Sequence, residues 1–122
     1  MPVCFNVLNL LLAGNLPPFG AACVIAEDEQ GRFLMVRQSR RSVSLPGGFM
    51  RWRETPMQAV RRECKEETGL DIDLREMIGT YSNSSSGLWH LSTLTVVYTG
   101  TVLAGGTMRG SVEGQPCWLS EA

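Results

Sequence analysis

The chain has 122 residues, 43% of them apolar and 19% charged, with a net charge of −1. That is enough for one domain with its own core, and the lack of a basic excess argues against a dedicated nucleic-acid binder. The four cysteines (Cys4, Cys23, Cys64, Cys117) form no C-x-x-C pair, and His90 is the lone histidine. This excludes a multi-histidine metal centre, argues against a zinc site and favours reduced thiols over disulfides. Any metal would be held by oxygen, which selects a hard ion such as Mg²⁺ or Mn²⁺.

Phe5, Val7, Leu8, Leu10, Leu11 and Leu12 form an apolar run too short to span a bilayer, without a basic start or a clear cleavage site. No membrane partner and a cytoplasmic location are therefore expected. Residues 4–13 read as a short helix stopped by Gly14 and Pro17-Pro18. Residues 1–19 are taken as an N-terminal apolar segment and 20–122 as the folded domain. Residues 20–26 and 32–38 read as two strands joined by a turn at 27–31, a hairpin pattern. A basic stretch (Arg37, Arg40, Arg41) leads to Leu45-Pro46-Gly47-Gly48.

Residues 55–68 predict a helix. Thr55 is a natural N-cap, Pro56 fits the first helical position, and Gln58 completes a capping box. Gly69 is a left-handed stop. Met57, Val60 and Cys64 recur at helical spacing and mark its buried stripe. Strands are expected at 70–80, 88–99 and 115–119, with turns at Ser82–Gly87 and Gly105-Gly106. Ser120 looks like the N-cap of a helix that does not develop.

Glu63, Glu66 and Glu67 lie at i, i+3 and i+4, within about one turn on one helix face. Such carboxylates repel one another, and a divalent cation would relieve that repulsion. Solvated glutamate-rich faces are common, so the spacing alone does not make a metal site. Glu67 adjoins the apolar stripe and should be partly buried.

The context is more specific. From Gly48 the chain reads G-x5-E-x7-R-E-U-x-E-E-x-G-U, with U apolar, through Gly48, Glu54, Arg62, Glu63, Cys64, Glu66, Glu67, Gly69 and Leu70. Seven fixed positions at about one chance in fifteen each give a random probability on the order of 10⁻⁸ per window. The pattern resembles the signature box of the Nudix (MutT-type) hydrolase superfamily. The lead-in Leu45-Pro46-Gly47-Gly48 and the late Glu113-Gly114-Gln115-Pro116 extend the similarity to roughly residues 20–120. The chain departs from the pattern at Cys64, where a branched apolar residue is usual, at Arg53, where a glycine is common, and at Val43-Ser44, where an aromatic residue often stands.

The resemblance implies an α+β fold: an α/β/α sandwich around a mixed sheet, with the box as a loop–helix–loop. A C-terminal helix usually follows the position of Trp118 and is expected to be lacking here; either the N-terminal apolar segment or a second subunit in a homodimer covers that sheet face, or the chain is a fragment of a longer protein and less stable for it. It further implies Mg²⁺-dependent hydrolysis of a pyrophosphate bond in a nucleotide-type substrate, with Mn²⁺ as a substitute. Glu66, Glu67 and the Gly47 carbonyl would be metal ligands. Glu63 would bind a second ion or serve as general base. Glu113 either completes the metal site or is merely solvated. Glu54 and Arg62 read as an orienting ion pair, and Gly48 and Gly69 as structural. Arg37 is the candidate phosphate contact, while Arg40 and Arg41 can equally be loop charge. Tyr81 is the candidate base contact; Tyr81, Trp89 and His90 can equally be strand core. The proline of ADP-ribose members is missing, with Ser85 and Ser86 in that stretch, and the E-G-Q-P match leans towards nucleoside triphosphates. The alternative is a catalytically silent nucleotide-binding or regulatory module on the same fold; its usual mark, a replaced metal glutamate, is not present.

Overall fold

The computed structural model describes residues 19–84, 92–112 and 114–120. The expected helix at 4–13, Trp89, His90 and Glu113 lie outside the described residues.

Strand β1 (Phe19–Ala26) alternates, and its Ala22, Val24 and Ala26 are buried. It is one of the two inner strands of the first sheet. It pairs antiparallel with β4 (Gly47–Phe49) on one edge and parallel with β6 (Ser92–Val102) on the other. Strand β5 (Ile72–Ser84) adds antiparallel to β6, giving a mixed sheet of order β4-β1-β6-β5. Strand β2 (Arg32–Ser39) lies in a second, antiparallel sheet between β3 (Ser42–Ser44) and β7 (Gln115–Ser120).

The expected hairpin of 20–26 with 32–38 is therefore not a ladder. The turn itself is tight, because the Asp28 carboxylate accepts from the Gln30 and Arg32 amides at 3.0 and 2.8 Å. Both edges of β1 are taken by β4 and β6, however, and both edges of β2 by β3 and β7. The isolated bridge Glu27–Phe33, just past the end of β1, pairs the two segments. Two further expectations at element ends are also corrected. Ser82–Ser84 continue β5, paired with Leu94, Thr93 and Ser92, rather than turning. Ser120 ends β7 opposite Arg32 rather than capping a helix.

Helix α1 (Pro56–Thr68) is the one helix among the described residues. Its ends are those expected. The Thr55 hydroxyl accepts from the Gln58 amide at 3.2 Å, while the Gln58 side chain accepts from the Thr55 amide at 2.9 Å. Gly69, at φ 77°, closes the helix with a bond from its N–H to the Lys65 carbonyl. Ala59, Val60 and Cys64 pack on Ala22, Val24 and Ala26 of β1, on Leu34 of β2 and on Leu70, Ile72 and Leu74. Met57 is not part of this stripe. Two residues after the N-cap, it sits on the first turn beyond the core margin, 40% exposed. The fold is thus α+β, with a mixed sheet whose Ala22–Val24–Ala26 face is covered by α1. No helix among the described residues is long and apolar enough to cross a membrane.

Candidate active site

The short edge strand β4 brings the box loop against α1. Gly47 backs onto β1 so closely that a side chain there would collide with the Ala22 carbonyl and Cys23. Gly48 faces the helix, and a methyl group on it would lie 2.7 Å from the Glu63 carboxyl carbon. Glycine at both positions lets the strand touch β1 on one side and the helix carboxylates on the other.

Arg62 organises the cluster. Its guanidinium donates to both Glu54 oxygens at 2.8 and 2.9 Å, to Glu63 Oε1 at 2.8 Å, to Glu66 Oε2 at 3.4 Å and to the Phe49 carbonyl at 3.0 Å. The expected Glu54–Arg62 pair is therefore present, but Arg62 does more than orient Glu54: it bridges three carboxylates. Its hydrogen bond holds the Glu54 carboxyl down at about 2, with help from the Arg51 amide, and the same bond raises Arg62 above the ordinary arginine range.

Glu67 is 5% exposed, and its Oε1 accepts from the Gly47 amide at 2.9 Å. This matches the burial expected from its place beside the apolar stripe. Glu66 is half exposed and meets a second cation, Arg51, whose guanidinium stands 3.7 Å from Glu66 Oε1. Cys64, the unusual box residue, is fully buried, and burial pushes its thiol pKa up. It acts as a small apolar filler.

Arg53 adopts φ 65°, alone among the described non-glycine residues. This accounts for the glycine common at that position in similar boxes, because the left-handed region is strained for a residue with a side chain.

The structure brings Gly47, Gly48, Glu54, Arg62, Glu63, Glu66 and Glu67 together. Arg37 lies on β2 opposite Val43 and Gln115, and no hydrogen bond or ion pair joins it to these carboxylates. Tyr81 pairs with Thr95, which pairs with Ala21, which pairs with Phe49. That row projects from the sheet face away from α1, with Phe49 and Tyr81 both largely exposed and the Phe49 ring set edge-on against Phe19 at 5.8 Å. The Arg109 amide donates to the Thr68 carbonyl, so the loop after β6 passes the C-terminal end of α1.

Among the described residues, no three histidine, cysteine or acidic side chains converge closely enough to cage a metal as they stand. Part of the repulsion expected between the glutamates is offset within the protein by Arg62 and Arg51. Among the described residues the side-chain groups gathered around Arg62 are carboxylates, hard oxygen donors of the kind a hard divalent ion takes.

The NUDIX domain family profile matches residues 17–120. A MutT-like protein from Streptomyces ambofaciens is 39% identical over 69 residues, 56% of this chain and 44% of that protein. An ADP-ribose pyrophosphatase from Methanocaldococcus jannaschii is 50% identical over 40 residues, 33% of this chain and 24% of that protein. The chain thus spans less than half the length of the curated relatives it matches. Its fold superposes on a NUDIX hydrolase from Nitrosomonas europaea with a TM-score of 0.72 at 23% identity, covering 85% of this chain and 73% of that one. On a profile that covers most of its length, this chain belongs to the NUDIX domain family.

Proposed function

We propose that this chain hydrolyses a pyrophosphate bond in a nucleoside diphosphate linked to another moiety, a nucleoside triphosphate included, with Mg²⁺ as its metal and Mn²⁺ as a substitute. The observation that carries this reading is the packing of Glu63 against Gly48 with Glu66 and Glu67 following on the same stretch of helix. Glu66 and Glu67 would hold the ion with the Gly47 carbonyl, and Glu113 would complete the set. When bound, the metal supplies neutralisation of the pyrophosphate oxygens and acidifies a water.

The chain's own residues do the rest. Glu63 Oε1 is taken by Arg62, so Oε2 is the atom that receives the proton of the attacking water. The water oxygen bonds to phosphorus, the bridging P–O bond breaks, and the leaving phosphate takes the electron pair. Arg62, fixed by Glu54 and the Phe49 carbonyl, keeps the Glu63 carboxylate in place. Arg37 would contact phosphate and Tyr81 the base. The free thiols of Cys23, Cys64 and Cys117 suit a cytoplasmic setting. A silent binding module would leave the complete Glu63, Glu66 and Glu67 set without a use.

Formation of nucleoside monophosphate from nucleoside triphosphates, ADP-ribose, nucleotide sugars and dinucleoside polyphosphates, with and without Mg²⁺, tests the proposal. At least one compound should turn over only with metal, and Glu66→Gln or Glu67→Gln should lower that turnover at least a hundredfold. Turnover near wild type in both variants defeats it.

A further inference from the structure

Glu66 meets a different cation on each oxygen: Arg62 at Oε2 and Arg51 at Oε1. The two cations are held very differently. Arg62 is 17% exposed and tied to two further carboxylates and a carbonyl, so it cannot leave without dismantling the cluster. Arg51 is 66% exposed and reaches Glu66 at 3.7 Å, beyond hydrogen-bond range. Its backbone, by contrast, is anchored. The Arg51 amide donates to Glu54 Oε1 at 2.9 Å, and its carbonyl accepts from the Glu54 amide at 3.0 Å. The base of the residue is thus fixed beside the carboxylates, while its guanidinium is held by charge alone.

We propose that Arg51 is an exchangeable counter-ion for Glu66. It occupies Glu66 when no metal is present, and passes to a phosphate of the nucleotide when a divalent ion takes that carboxylate. The exchange needs no backbone motion. A guanidinium displaced from Glu66 remains at the mouth of the cluster, where the planar donor fork of arginine matches phosphate oxygens. Arg51 therefore opposes the bare metal and favours the metal–nucleotide complex. This inference rests on the hydrolase reading above and adds a recognition residue to it.

Titration calorimetry on the whole chain tests it, with Mn²⁺ alone as the first probe and ADP at saturating Mn²⁺ as the second, for wild type, Arg51→Ala and Arg51→Lys. Removing an exposed ionic contact should move each affinity by about two- to fivefold. Arg51→Ala should bind Mn²⁺ more tightly and ADP more weakly, with Arg51→Lys between it and wild type in both. Opposite signs are the signature, since mere loss of loop structure would weaken both. Mn²⁺ affinity unchanged or weakened in Arg51→Ala, or ADP affinity unchanged, overturns the exchange while leaving the hydrolase reading intact. A wild-type chain that binds no Mn²⁺ overturns that reading and this inference with it.

Discussion

A methyl group on Gly48 would stand 2.7 Å from the carboxyl carbon of Glu63 and within 3.0 Å of both its oxygens. The glycine and the glutamate are thus one unit, although fifteen positions separate them in the chain. The contact is with the free end of a side chain, so Gly48→Ala can be accommodated by moving Glu63 by roughly 1 Å. A displacement of that size at a reacting group costs on the order of 10²-fold in rate. Gly48→Ala should keep its circular dichroism and melting behaviour close to wild type while losing turnover on that scale. Wild-type turnover in this variant would show that Glu63 need not occupy its observed place.

Arg53 stores strain at φ 65° in the loop that precedes α1. Arg53→Gly should stabilise the chain by about 0.5–1 kcal/mol, the left-handed penalty less the backbone entropy of glycine. Thermal melting reads the change directly, and a lower melting temperature would contradict it.

The Glu54–Arg62 pair makes stability depend on pH in a defined window. The Arg62 hydrogen bond holds Glu54 at about 2 against an ordinary 4.5. A depressed carboxylate binds fewer protons folded than unfolded, so its contribution is full above pH 4.5 and disappears as pH falls through about 2. Glu54→Gln should therefore be less stable than wild type at pH 6, and the gap should close on acidification through that window. Urea midpoints measured from pH 6 to 2 check this. A gap that stays constant to pH 2 would mean that the pair contributes nothing through ionisation.

Thr68 is fully buried at the last turn of α1. Its hydroxyl donates to the Cys64 carbonyl at 2.6 Å and accepts from the Leu70 amide at 3.2 Å. Thr68→Val would leave that buried amide without its partner, at a cost of about 1–3 kcal/mol. The urea midpoint should fall with an unchanged slope. A midpoint equal to wild type would refute the role given to the hydroxyl.

The helix could be read from the sequence almost residue by residue, because its limits are set locally. Thr55, Gln58 and Gly69 each act through neighbours within four positions. The Glu54–Arg62 pair was legible for the same reason, being one loop-to-helix step apart. The partners of β1 were not, since its parallel pairing with β6 joins residues more than seventy positions apart. Strands β3 and β4, three residues each, are too short to carry an alternating pattern. The reach of Arg62 to Glu63 and Glu66, and of Arg51 to Glu66, depends on side-chain directions that spacing does not specify. Met57 has the right helical phase but sits on the first turn, where it stays exposed.

The most direct test is a crystal soaked in Mn²⁺ with a non-hydrolysable diphosphate and examined by anomalous scattering. The account predicts a peak within bonding distance of Glu66, Glu67 and the Gly47 carbonyl, and its loss in Glu67→Gln. A soaked crystal with no peak at these atoms would contradict the assignment of the glutamate cluster to metal-assisted pyrophosphate hydrolysis.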